Sequence, residues 1–214
     1  MKYFATLLCL IFIGSLSQAQ EIDFDHIKAL KFRNIGPAGM SGRITAIDVN
    51  LRDKDHIFVG SASGGVWESK NGGISWNPIF DDQPTLAIGS VKFNQNNPDE
   101  IWVGTGEGNP RNSHNSGAGI FKSIDGGKTW HYMGLKETKL IHRIIIHSQN
   151  SDEILVGALG SAWGPTEDRG VYKTTDGGKT WDKVLYIDKN VGLSEMVVDP
   201  SNPNKILASM WEFG

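Results

Sequence analysis

The chain has 214 residues with 24 acidic and 21 basic side chains, a formal charge of −3 at pH 7. That mild acidity lacks the basic footprint nucleic-acid binding requires and offers no polybasic patch to a membrane surface. The only cysteine, Cys9, sits in the first apolar run, so the rest of the chain can form no disulfide, cysteine-ligated metal site or cysteine nucleophile.

In chain order, residues 1–19 come first: one lysine, an apolar run from Tyr3 to Ile13, and a small-x-small ending at Ala19. This is the pattern of a secretory signal peptide cleaved after Ala19. The run is shorter than the roughly 20 residues that span a bilayer. The expectation is an exported chain, secreted or periplasmic and not membrane-spanning. Residues 20–42 form a lead-in, where "LKFRNIGP" (30–37) follows the pattern of "TWHYMGL" (129–135) and places Phe32 in an aromatic column. The lead-in is expected to supply a ring-closing strand.

From 43 to 214 the chain repeats. "IFVG" (57–60), "IWVG" (101–104), "ILVG" (154–157) and "ILAS" (206–209) recur at intervals of 44, 53 and 52 residues, each preceded by another apolar run. "NPDE" (97–100) and "NPNK" (202–205) read as the turns between the paired runs. Two further strands flank "SKNGGISW", "SIDGGKTW" and "TTDGGKTW", with Trp67, Phe121 and Tyr172 in one column and Trp76, Trp130 and Trp181 in another. The intervening Asn-Gly and Asp-Gly steps have hairpin-turn chemistry. Gly-Lys-Thr in these strings resembles a phosphate loop, but the first loop glycine is replaced by Lys122 or Lys173 and β-prone aromatics follow instead of a helix. Units of about 50 residues with four antiparallel strands are propeller blades. The fold class is therefore all-β: a β-propeller of four-stranded antiparallel blades, here about three and a half, with the fourth incomplete at Gly214.

The string Ser/Thr-x-Asp-x-Gly-x-Thr-Trp resembles the Asp box, or bacterial neuraminidase repeat. Asp125, Gly127, Thr129 and Trp130 fit it, as do Asp176, Gly178, Thr180 and Trp181; Asn71, Gly73, Ser75 and Trp76 form a degenerate copy. Asp boxes occur in sialidases, xyloglucanase-type endoglucanases, the sortilin N-terminal domain and photosystem II stability factors. The passages around 105–130 and 158–181 look nearest to exported bacterial proteins that resemble the sortilin N-terminal domain and are often labelled glycosyl hydrolases. The resemblance implies a structural box. Its carboxylate accepts from turn N–H groups and its tryptophan packs between strands.

Function is therefore expected on the opposite face, where long loops cluster on a rigid scaffold: 61–65, 105–119 and 158–170. Arg43, Arg111, His114, Trp163 and Arg169 are the ligand-binding candidates, with Arg143, Glu195 and Trp211 nearby in the repeat. They suit a peptide or carbohydrate ligand. Glycosidic cleavage needs paired carboxyl groups, for which Glu107 with Glu167 or Asp168 are the catalytic candidates. The resemblance to xyloglucanase-type enzymes implies an Asp before Gly-Gly in the first long loop, but Ser63 stands there before Gly64-Gly65. His142 and His147 lie five apart on one strand and point to opposite faces. No metal or other cofactor is expected. The leading expectation is a sortilin-like ligand-binding propeller; the alternative is a glycoside hydrolase with some carboxylates outside these residues. Trp67, Trp76, Trp102, Trp130 and Trp181 are expected in blade cores.

Overall fold

The computed structural model describes residues 42–109 and 114–213. The signal sequence with Cys9, the lead-in strand with Phe32, and Arg111 lie outside the described residues.

The repeats fold into successive antiparallel sheets. Strands β1 (Ile44–Val49), β2 (Ile57–Ser61), β3 (Val66–Ser69) and β4 (Asn77–Pro78) make the first blade in sequential order. The second contains β5 (Ile88–Asn94), β6 (Asn97–Thr105), β7 (Ile120–Ser123) and β8 (His131–Tyr132). The third contains β9 (Ile141–Ile146), β10 (Ile154–Ala158), β11 (Gly170–Thr174) and β12 (Asp182–Leu185). The fourth holds β13 (Val191–Asp199) paired with β14 (Asn202–Glu212).

The first strands β1, β5, β9 and β13 pack against one another in that order, which makes them the inner strands. The glycine closing each "IxVG" lets the blades approach. Any side chain on Gly60, Gly104 or Gly157 would collide with Ile88, Ile141 or Leu193 respectively, each on the next blade's first strand. Buried Phe58, Phe80, Phe93, Ile101 and Phe121 fill the space between the first two blades. Trp102, Ile120, Ile141, Ile154 and Tyr172 fill that between the second and third.

The box turn works as a carboxylate-centred knot. Asp125 Oδ1 accepts from Lys128 N at 3.0 Å and Thr129 N at 2.9 Å, and its Oδ2 from Thr129 Oγ1 at 2.6 Å. Asp176 repeats these bonds with Lys179 and Thr180 at 2.9, 3.0 and 2.7 Å. In the degenerate copy Asn71 keeps the bond from Ser75 N at 2.9 Å. Paired glycines follow at φ 72 and 86 for Gly126 and Gly127, a region L side chains avoid. Gly72, Gly126 and Gly177 donate to the carbonyls of Asp55, Asp99 and Asp152, so the box turn is tied to the turn before its blade's second strand or, at Asp99, to the start of that strand.

Three details differ from the sequence expectations. Asn-Pro begins strands β6 and β14; the turns are Gln95-Asn96 and Pro200-Ser201, as the pairs Asn94↔Asn97 and Asp199↔Asn202 show. A proline at a strand start forfeits no essential ladder bond. The box connection is a loop from 124 to 130 between β7 and β8, not a two-residue hairpin turn, because the carboxylate knot needs those residues. Finally, Trp76 is 37% exposed. Trp130 Nε1 donates to Ile79 O and Trp181 Nε1 to Met133 O, both at 2.7 Å and both across a blade boundary. Trp76 belongs to the first blade and has no such preceding strand among the described residues.

These observations predict an acid sensitivity. Hydrogen bonds, chiefly from Thr129, hold the Asp125 carboxyl down at about 2, and those from Thr180 and Thr174 hold Asp176 below the usual carboxylate range. A depressed folded-state value stabilises the fold above the unfolded value near about 3.9 and loses that contribution as pH falls. Urea midpoints should therefore drop between about pH 4 and 2, and the drop should shrink in an Asp125→Asn/Asp176→Asn double variant, which starts lower at neutral pH. Trp130→Phe, which orphans the Ile79 carbonyl, should destabilise by about 1–3 kcal/mol. Trp76→Phe should change stability by less than about 0.5 kcal/mol in the same denaturation experiment.

Candidate functional site

Because the box turns and the turns between first and second strands share one face, the other face carries the loop residues 62–65, 106–109, 114–119 and 159–169 together with the end of β14. Among the described residues, the loop after β6 makes contacts with all the other blades. Its Glu107 is fully buried and accepts a two-pronged contact from Arg43, with Nε–Oε1 2.7 Å and Nη2–Oε2 2.6 Å. The hydrogen bond to Glu107 raises the Arg43 guanidinium above its ordinary range. Such fork-on-fork geometry is a strong and directional form of ion pair. Here it fastens the residue before β1 to the loop of the second blade.

From that clamp the loop crosses the other blades. Glu107 N donates to Asn115 O at 3.1 Å, Asn115 Nδ2 to Ala62 O at 3.4 Å, and Gly117 N to Lys139 O at 2.7 Å. The His114 ring meets the Phe213 ring with centroids 5.2 Å apart, and Phe213 meets Trp211 at 5.7 Å. A residue of the second blade's loop thus touches the end of the fourth blade. Gly108 packs so closely on His142 that a Cβ there would clash with the imidazole.

His142 is buried, and its Nε2 donates to Ser194 O at 2.7 Å while Nδ1 has no partner. Burial pushes its pKa below the ordinary histidine value, which keeps the ring neutral. Next to it, Arg143 contacts Glu195 with both Nε and Nη2. The guanidinium holds the Glu195 carboxyl at about 2. This second clamp joins the inner strands of the third and fourth blades.

The loop between β10 and β11 is organised by Arg169. Its side chain is fully buried, donating from Nη1 to Leu159 O at 2.6 Å and from Nη2 to Ser161 O at 2.8 Å and Gly164 O at 3.2 Å. Burial lowers the pKa of this guanidinium, partly offset by Asp188. Arg169 is therefore not a group offered to solvent, as the sequence suggested, but a pin through its own loop. The loop presents Trp163, 76% exposed.

The acidic candidates have local partners. Glu167 Oε2 accepts from the Tyr186 hydroxyl at 2.5 Å, its carbonyl accepts from Lys183 Nζ, and Asp168 Oδ2 accepts from Thr166 Oγ1 at 3.0 Å. The bond to Glu167 pushes the Tyr186 phenol up to about 12. Lys183 also lies over the Tyr186 ring at 4.8 Å. The structure thus brings Arg43 with Glu107, and His114 with Phe213 and Trp211, while Glu107 is sealed from ligand. Phe213 and Tyr186 had no sequence signal beyond being aromatic. Among the described residues no group of three or more metal-ligating side chains is gathered for an ion. No helix among them is long and apolar enough to cross a membrane.

Comparisons with known proteins agree with this architecture. The family model "BNR/Asp-box repeat" matches residues 172–183. A xyloglucanase of Paenibacillus sp is 24% identical over 183 residues, covering 80% of this chain and 17% of the relative. The photosystem II assembly lipoprotein Ycf48 of Synechococcus sp. is 28% identical over 141 residues, 64% of this chain and 35% of the relative. Among solved structures, a GH74 enzyme of Niastella koreensis aligns with TM-score 0.60 and 24% identity over 77% of this chain and 24% of its own. Ycf48 bound to D1 peptide aligns with TM-score 0.52 and 17% identity, over 81% and 52%. The chain thus spans well under half the length of the curated relatives it matches. These relatives are xyloglucanases and Ycf48 proteins, and they give no support to the sortilin-like expectation. Repeats, blade topology and relatives converge: the chain carries the BNR/Asp-box repeat, matched at residues 172–183, on blades of the β-propeller fold.

Proposed function

We propose that the long-loop face is a ligand-binding surface for an extended carbohydrate, carried by an exported protein whose leader is residues 1–19. The observation that carries this reading is Trp163, 76% exposed on a loop pinned from within by the buried Arg169. An indole in water loses apolar hydration and gains stacking when a pyranose face covers it. Rigid presentation lowers the ordering penalty of binding. Trp211, 43% exposed, gives a second ring on the same face, and the xyloglucanase named among the relatives acts on a glycan.

A second reading is hydrolysis of that carbohydrate, favoured by the same relatives. Within these residues the chemistry speaks for binding. Glu107 is buried with both carboxylate oxygens occupied by Arg43, so it cannot reach a glycosidic oxygen. Ser63 stands in the first long loop where a carboxylate is expected. Cleavage would rest on Glu167, Asp168 or carboxylates outside this chain.

Calorimetry of the exported protein with xyloglucan oligosaccharides, cello-oligosaccharides and an unrelated peptide tests the reading. Trp163→Ala should weaken glycan affinity by about tenfold or more with an unchanged unfolding midpoint. Unchanged affinity, or binding of the peptide alone, would overturn it. Reducing-sugar release that is abolished by Glu167→Gln or Asp168→Asn would instead establish the hydrolytic reading.

A further inference from the structure

The four inner strands finish in the same way. Asn50, Asn94, His147 and Asp199 stand at or just after the ends of β1, β5, β9 and β13, and each side chain accepts from the N–H two residues on: Arg52 at 3.0 Å, Asn96 at 3.0 Å, Gln149 at 3.3 Å and Ser201 at 2.9 Å. The histidine differs in what it has left over. An imidazole that accepts at Nδ1 carries its proton on Nε2. His147 Nε2 is buried and has no partner among the described residues, and a buried donor without an acceptor is costly.

The backbone group beside it is open as well. His147 N donates to Glu153 O at 2.9 Å on β10's side, and N–H groups alternate in direction along an antiparallel ladder, so Ile146 N–H points away from β10. Phe93 is its counterpart on β5. It donates to Asp48 Oδ2 at 2.8 Å, while Asp48 Oδ1 accepts from Lys92 Nζ at 3.0 Å. One blade further on, the repeat sets Lys92 where Asp48 stands, so the carboxylate that serves Phe93 has no counterpart for Ile146. In its place is a cavity of about 330 Å³ whose lining includes Asp48, Lys92, Asn94, Ile146 and His147, a volume at the small end of ligand pockets. Asp48 and Lys92 are the charged residues of that lining, and they pair with each other.

We infer that this cavity, on the box-turn face and apart from the exposed tryptophans, is a binding site for the carboxylate of a small molecule no larger than a monosaccharide. One carboxylate oxygen accepts from Ile146 N–H and the other from His147 Nε2–H, which repeats with an external group what Asp48 does for Phe93 and Lys92. A hydroxyl satisfies only one of the two donors as acceptor; a carboxylate satisfies both, and its charge strengthens each bond. The Lys92 ammonium has hydrogens beyond the one given to Asp48, and it offsets the repulsion between Asp48 and the incoming anion.

Sodium glucuronate, sodium acetate and glucose are titrated into the ¹⁵N-labelled protein at constant ionic strength, and the amide resonances of Ile146 and His147 are followed. Both carboxylates should shift the Ile146 amide saturably, and glucose should not. Tighter binding of glucuronate assigns the site to a sugar acid, and equal affinities assign it to the carboxylate alone; both support the site. His147→Asn keeps the turn cap as Asn50 and Asn94 do, but removes the second donor, and should weaken glucuronate about fivefold. His147→Gln, whose amide nitrogen lies near the position of Nε2, should retain most of the affinity, which a merely structural role for the ring would not produce. The proposal is overturned if the Ile146 amide does not respond, if glucose shifts it as glucuronate does, or if His147→Asn with an unchanged Tm binds glucuronate as tightly as the parent.

Discussion

Everything in this structure hangs on one hydrogen bond that crosses a blade boundary: an indole Nε1 on one sheet donating to a main-chain carbonyl of the sheet before it. The last strand of a blade is short, two residues in β4 and β8, and an isolated two-residue strand has almost no ladder to hold it. The tryptophan satisfies that strand's outward carbonyl and lays a large apolar ring over it. The Asp carboxylate then fixes the turn that aims the ring. A box aspartate is thus a local knot with a non-local effect, since it stabilises the contact with the neighbouring sheet as well as its own loop.

The opposite face is held together by charge. Arg43 with Glu107 and Arg143 with Glu195 are each long-range, each two-pronged, and each joins one blade to the next. Short turns need no such clamps, because the box knot and its bond to the neighbouring turn immobilise them. Long loops lack a regular ladder, so their backbone groups must find partners elsewhere. Arg169 meets that requirement for one loop by donating to three carbonyls. The result is a face of extended loops that are nonetheless fixed, which is what a binding surface of exposed aromatic rings requires.

The fold was legible in the sequence because it is written in positions that recur. Glycine in "IxVG", the aromatic columns and the box all return at blade spacing, and each maps onto a contact between adjacent sheets. Asn-Pro misled because turn chemistry and strand starts draw on the same residues. Trp76 misled because a column predicts side-chain direction, not whether a neighbouring sheet is there to receive it. The site was less legible. Loop residues do not recur, so Arg43 and Glu107, 64 positions apart, carry no signal of their partnership. Glu107 and Arg169 look in the sequence like exposed loop charges, and only the packing reveals that both are buried.

Burial of those charges bears on what kind of chemistry the face can perform. A general acid needs a carboxyl that is protonated near the working pH and able to reach its substrate. Desolvation alone would raise a buried carboxyl, but a guanidinium fork opposes that by favouring the anion. Arg143 does this to Glu195, holding its carboxyl at about 2, and Arg43 occupies both oxygens of the buried Glu107. Carboxylates committed to holding blades together are poor proton donors. The groups that remain accessible on this face are Trp163 and Trp211 foremost, and the proposed carbohydrate reading rests on those apolar rings, which suit a flat, weakly hydrated ligand surface.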